Sequence, residues 1–250
     1  MLTENKKIYF ASDVHLGFPN HHESLIREKK LVAWLDEIKL DAKEIYLLGD
    51  VFDFWHEYKK VVPRGYTRFF GKVAEITDSG IPIHFFTGNH DIWAYDYLPQ
   101  EIGVILHRKP LEIVSGNKKF FLAHGDGLGP YDKGFKRLKK VFTCKLAQWG
   151  FARIHPNFGI WAGQKWSSHS RYTETEEDLK FRGEDKEWLV LFANEKLKTT
   201  HFDYFVFGHR HIPIEIKLQE KSTFFNLGDW LTNFTYCVFD GEKMELKKWE

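Results

Sequence analysis

Three short apolar runs bounded by turn residues stand out along the chain: KIYFAS at 7–12, EIYLLG at 44–49 and IPIHFF at 81–86. Runs this short and rich in β-branched and aromatic residues read as buried strands. Between them, residues 23–39 and 63–79 place apolar side chains at helical spacing, and the alternation predicts βαβ units on a mostly parallel sheet. Further strands are predicted at 111–114, 119–123, 203–207, 212–217, 223–226 and 234–239. The turn signals SGN and DGE in that half predict antiparallel hairpins that join or face the first sheet, hence a two-sheet α/β sandwich.

One stretch departs from this pattern. Between FFLAHGD and YFVFGHRH lie roughly 75 residues with few strand signals, and residues 131–171 hold nine Lys or Arg against a single acid, Asp132. That segment is therefore net +8 in a chain of net +1, which leaves about −7 for the remainder. Within it, Tyr131, Phe135, Leu138, Phe142, Leu146 and Trp149 fall at steps of three and four, predicting one amphipathic helix with a lysine-rich opposite face. HPNFGIWAGQKW then adds Phe158, Trp161 and Trp166. Such a stripe packs on a core or, with basic residues opposite, lies at an anionic membrane surface. No repeat or linker divides the chain, so the expectation is a single domain over 1–250 with a helical cap insertion at about 129–200.

Composition narrows the classes. The 250 residues include 23 Phe, 10 Tyr and 9 Trp, ample for a globular core, and the net charge of +1 gives no general nucleic-acid-binding field. Cys144 and Cys237 make no disulfide framework. No basic start followed by an apolar stretch suggests a signal peptide, and no run nears the roughly 18 apolar residues of a membrane span, so a cytoplasmic location is expected.

Candidate chemistry recurs at the strand ends. Asp13 and His15 follow YFAS; Asp50 and Asp53 follow IYLLG; Asn89, His90 and Asp91 follow HFFTG; His124 and Asp126 follow FFLA; His209 and His211 follow FVFG. Ligands of open α/β sheets bind beyond the carboxyl ends of strands, so five such clusters converge on one crevice. Imidazole, carboxylate and amide oxygen without thiolate suit Mn²⁺, Fe²⁺, Zn²⁺ or Co²⁺, and this many donors exceed one ion's capacity. Two ions sharing a carboxylate favour phosphoester hydrolysis. Asp53 and Asp126 divide between holding ligands and capping turns, while His84 and His107 read as ordinary core or surface histidines.

DVH at 13–15, GDVFD at 49–53, GNHD at 88–91, HGD at 124–126 and GHRH at 208–211 resemble the motif set of the calcineurin-like metallophosphoesterases, in that family's order. The resemblance implies Asp13, His15 and His211 on one metal, Asp50 bridging, and Asn89, His124 and His209 on the other. It further implies that His90 assists the leaving group, that Asp91 orients His90, and that Gly88 permits the turn. The expected fold is α/β, a four-layer α/β/β/α sandwich of two mixed sheets with the cap inserted.

LLGDVFDFW, ITDSGIPIHFFTGNHD, HGDGLGPYDKGFKRLKK and NLGDW are similar to one subfamily, the UDP-2,3-diacylglucosamine diphosphatases of lipid A synthesis in Gram-negative bacteria. That resemblance implies cleavage of the lipid-nucleotide pyrophosphate to UMP and 2,3-diacylglucosamine 1-phosphate (lipid X), with manganese the first expectation for both ions. It also implies substrate contacts from Asp132, Phe135, Lys165, Ser168, Ser170 and Arg171, and peripheral attachment to the inner face of the inner membrane. Neither nucleic acid nor an obligate protein partner is expected. The chain departs from the best-known members at His90, where they carry arginine. The alternatives are a soluble phosphodiesterase or nucleotide pyrophosphatase, a binding scaffold with a degenerate site, and a nuclease.

Overall fold

The computed structural model describes residues 6–129, 133–172 and 180–250, apart from the side chains of 169–172 and 220. Tyr131 and Asp132, and the side chains of Ser170 and Arg171, therefore lie outside the described residues.

The first sheet has the order β11-β10-β1-β2-β3-β4. Its parallel core is β1 (Lys7–Ala11), β2 (Ala42–Leu47), β3 (Ile83–Phe86) and β4 (Ile105–His107), extended antiparallel by β10 (Thr235–Phe239) and β11 (Met244–Lys248). The second sheet has the order β5-β6-β7-β9-β8. There β6 (Lys118–Ala123), β7 (Tyr204–Phe207) and β9 (Thr223–Leu227) run parallel, flanked antiparallel by β5 (Leu111–Ser115) and β8 (Pro213–Lys217).

The period-2 geometry of a strand explains why the buried ends of the central strands are apolar on both faces. In β1, Tyr9 and Ala11 face a core shared with α1 (His21–Ile38), α2 (Thr67–Asp78) and α3 (Tyr97–Ile102), whereas Ile8 and Phe10 face the second sheet. In the second sheet Phe120 and Leu122 meet that inter-sheet core, and Phe121 and Ala123 pack with Leu189, Val190 and Ala193 of α7 (Trp188–Leu197). The result is the four-layer α/β/β/α arrangement.

Between β6 and β7 the chain also forms α4 (Lys133–Phe142), α5 (Lys145–Phe151) and α6 (Pro156–Tyr172). The single helix expected across 131–149 breaks at Cys144, whose backbone is extended (φ −70°, ψ 123°). Side chains occupy the groups freed there: Phe142 O accepts from Trp93 Nε1 at 2.8 Å and Gln148 Nε2 at 2.9 Å, while the Thr143 hydroxyl bonds Lys139 O at 2.8 Å. The apolar stripe is consequently split: Phe135, Leu138 and Phe142 line a cavity, and Leu146 and Trp149 are exposed.

Candidate active site

The strand-end loops that carry the candidate ligands are held in uncommon backbone conformations. Asp13, His15, Asp50, His209 and His211 all have positive φ, between 49° and 71°. Each costs on the order of 1–3 kcal/mol for a non-glycine residue, so the surroundings must impose it. Adjacent loops do so by bonding one another: Asp13 N–H to Gly49 O (3.0 Å), His15 N–H to Asp50 O (2.9 Å) and His209 N–H to Asp13 Oδ2 (2.9 Å). Gly88 is not in the left-handed region; its contribution is space, since a Cβ there would lie 2.2 Å from Asp50 Oδ1.

These loops bring together the seven ligand-type residues singled out in the sequence. His15 Nε2 and His211 Nε2 are 3.2 Å apart, and Asp13 Oδ1 lies 3.7 and 3.1 Å from them. Asp50 Oδ1 accepts His90 N–H at 2.8 Å, which leaves Oδ2 at 3.3 Å from His124 Nε2 and 3.9 Å from His15 Nε2. Asn89 Oδ1 is 3.1 Å from His124 Nε2. His124 Nδ1 donates to Leu48 O at 2.7 Å, which turns Nε2 inward. Two groups, Asp13 with His15 and His211 and Asp50 with His124 and His209, each hold donor atoms close enough to share an ion.

The electrostatics call for positive charge. Asp13 Oδ1 is buried without a hydrogen-bond partner of acceptable geometry. Burial would raise the Asp50 carboxyl, yet the His124 and His90 imidazoles hold it well below the usual carboxylate range. Burial would lower His124, but Asp50 outweighs it and pushes the imidazole up to about 10. His209 is driven down to about 3 by burial and by His124. Imidazole nitrogens and carboxylate and amide oxygens converge on one another with protons standing in for cations, a donor set that fits divalent metal ions.

Several residues sit elsewhere than expected. Asp91 does not orient the His90 ring: its buried carboxylate accepts Gly88 N–H at 2.6 Å and Val51 N–H at 2.9 Å, tying the GNHD loop to the one after β2. Burial and the Asp50 charge raise it to about 7. The ring is instead contacted at Nδ1 by Asp53 O (2.8 Å) and Ser167 Oγ (2.9 Å), with Nε2 4.0 Å from Asp50 Oδ2. Asp53 accepts the Ser167 hydroxyl at 2.7 Å and stands 3.6 Å from His15 Nδ1. Asp126, rather than capping a turn, pairs with Lys139 of α4 at 2.5 Å. Phe135 reaches the site, its ring 6.5 Å from that of His209. Lys165 is exposed, Ser168 is half-buried, and Ser167 between them is among the residues that line the cavity. His84 and His107 stack on each other at the β3–β4 end, away from the cluster.

Beyond His90 an apolar cavity of about 360 Å³ opens, lined by Phe54, Trp93, Phe135, Leu138, Phe142 and Phe151, with Asn89, His90, Asp53 and Ser167 at its polar end. Sequence reading missed Ser167 and also Arg210, whose guanidinium makes a bidentate pair with Glu187 (3.0 and 2.9 Å) between the two histidines of the GHRH loop.

Strand-end donors of this kind, gathered from two stacked mixed sheets, define a metal-dependent hydrolase site. The chain belongs to the calcineurin-like phosphoesterases, a family whose model matches residues 6–213. It is 38% identical over 98% of both chains to a Porphyromonas gingivalis protein named UDP-2,3-diacylglucosamine hydrolase. A Haemophilus influenzae protein of the same name is 24% identical over 92% of each chain. Among solved structures, the Escherichia coli phosphoesterase YfcE matches with a TM-score of 0.48 and 15% identity, covering 97% of this chain and 92% of its own.

Proposed function

We propose that this protein hydrolyses the pyrophosphate of UDP-2,3-diacylglucosamine to UMP and 2,3-diacylglucosamine 1-phosphate, the step its relatives are named for. The observation that carries the reading is the apolar cavity abutting Asn89 and His90, room for acyl chains beside a site for phosphate.

In this reading Asp13, His15 and His211 hold one divalent ion, Asn89, His124 and His209 hold the other, and Asp50 Oδ2 lies between. The ions, Mn²⁺ first among those the donors suit, supply when bound an acidified water and neutralisation of phosphate charge. His90 turns Nε2 toward the crevice and protonates the departing sugar phosphate. The proton on its Nδ1 is fixed by Asp53 O, which can only accept. Phe135, Leu138 and Phe142 keep water from the apolar part of the substrate.

Within the segment of about 129–200, α4, α5 and α6 are read as a cap over this site that also meets the membrane on its cytoplasmic face, while α7 packs on the second sheet. Leu146, Trp149, Phe158, Trp161 and Trp166 are exposed among Lys140, Lys145, Arg153 and Lys165, the composition of an interfacial surface. No described helix is long and apolar enough to cross a membrane.

The test is turnover by the Mn²⁺-loaded protein of the lipid nucleotide and of bis(p-nitrophenyl) phosphate. The lipid nucleotide should be cleaved far faster, and Phe142→Asp should cut its turnover at least about 10-fold while sparing the small ester. Comparable turnover of the two by the unmodified enzyme would remove the lipid assignment.

A further inference from the structure

We propose that Ser167 of α6 is a positioning residue for His90, so that the leaving-group proton is held in place only while this helix is seated on the sandwich. The inference rests on the role given to His90 above.

The seat is built from small residues. Gly159, Gly163 and Ser167 follow at intervals of four and therefore share one helical face. A Cβ on Gly159 would lie 2.1 Å from the Tyr58 hydroxyl, and one on Gly163 would lie 2.2 Å from Phe54 Cε2. The backbone of α6 is thus pressed on the loop after β2, which also carries Asp53. One turn beyond Gly163, Ser167 is only 4% exposed.

Its hydroxyl has a single proton to give, and the geometry assigns it. Asp53 Oδ2, 2.7 Å away, is an acceptor, so the O–H points there and a lone pair remains for the His90 Nδ1–H at 2.9 Å. That Nδ1–H is shared with Asp53 O at 2.8 Å, so Asp53 and Ser167 grip the ring from two sides. Asp91 does not take this part: its oxygens accept from the Gly88 and Val51 amides. Removing the hydroxyl leaves the ring free to tilt about the remaining contact, and Nε2 swings away from the leaving oxygen.

A double-mutant cycle separates positioning from support or substrate contact. Ser167→Ala should lower kcat on the lipid nucleotide about 10-fold with KM within about 2-fold, part of the roughly 100- to 10,000-fold that a placed proton donor supplies. In a His90→Ala background the same change should alter kcat by less than about 2-fold. Equal losses in both backgrounds, a rise confined to KM, or no loss in the wild-type background would overturn the proposal. The cycle is repeated on diphenyl phosphate, whose phenolate leaves poorly without a proton. Turnover of that ester but not of the lipid nucleotide would refute the substrate reading and leave Ser167 to be judged on the ester. Turnover of neither refutes both.

Discussion

Glu187→Ala should be among the most damaging single changes outside the ligand set. Glu187 precedes α7 and is 2% exposed; Arg210, 8% exposed, stands between His209 and His211 and stacks on Trp188 at 5.2 Å. The guanidinium donates to this carboxylate at 3.0 and 2.9 Å and to the Lys180 carbonyl at 3.4 Å. Removing one partner of a buried ion pair costs about 3–5 kcal/mol. For a chain of this size each kcal/mol lowers Tm by about 2–4 °C, so a drop of roughly 6–20 °C follows. The loss should also reach the site, because Arg210 stands between His209 and His211, which have φ of 71° and 55°. Metal content after dialysis against limiting Mn²⁺, read by mass spectrometry, should fall with Tm read by circular dichroism. The double variant Glu187→Leu/Arg210→Met should recover most of the stability, since an apolar pair avoids desolvating charge. A Glu187→Ala protein melting within about 2 °C of wild type with undiminished metal would refute the reasoning.

Three further outcomes follow from the burial and charge described. His56 is buried with neither ring nitrogen hydrogen-bonded, and burial lowers it to about 4, so below pH 6.5 the unfolded chain takes up the proton first. Stability should therefore be intact above pH 6.5 and fall by about 2 kcal/mol by pH 5 on this group alone, and urea midpoints of His56→Phe should show a correspondingly smaller loss over that range. Mn²⁺ binding to the metal-free protein at pH 8 should release close to one proton or more, because Asp50 keeps His124 protonated there; titration calorimetry in two buffers of different ionisation enthalpy would count it, and a count of zero would contradict the charge assignment. Trp149→Asp and Trp161→Asp should each weaken sedimentation with anionic phosphatidylglycerol vesicles by about 10-fold or more, the worth of one large apolar side chain, and unaltered binding would place the membrane-facing surface elsewhere.

The parts of the fold legible in the sequence were those where one physical demand dominates. The strands read at 7–12, 44–49 and 81–86 appear at Lys7–Ala11, Ala42–Leu47 and Ile83–Phe86 because their C-terminal halves are covered on both faces, which keeps those halves apolar even where Lys7, Lys43, Glu44 and His84 interrupt the start. β4 escaped detection as three residues on a sheet edge, β11 because MELKK is mostly polar, and α3 because it has only six residues, one a proline. α7 was missed because WLVLFANEKL is apolar on most sides of its first turns, so helical periodicity is weak. The break at Cys144 depends on the Trp93 indole taking the Phe142 carbonyl, a contact across 49 residues that no local window holds.

The same distinction governs the site. The residue types at the strand ends were legible because a crevice at those ends has to be furnished from those positions, whereas their partners were not, because partnership is a matter of which loop folds over which. Asp91, next to His90 in the chain, turns away to bind Val51 and Gly88, and the contact it was expected to make comes from Asp53 and from Ser167, 77 residues further on. Gly159, Gly163 and Ser167 were the available signal: three small residues at intervals of four in a helix rich in aromatics mark a face that must approach something closely. What that face approaches is the loop carrying Asp53, so the helix that walls the apolar cavity also touches the imidazole facing the metal-type cluster. Recognition of the substrate's apolar part and placement of the proton are thereby joined through one helix, and a change that lifts α6 should damage both together.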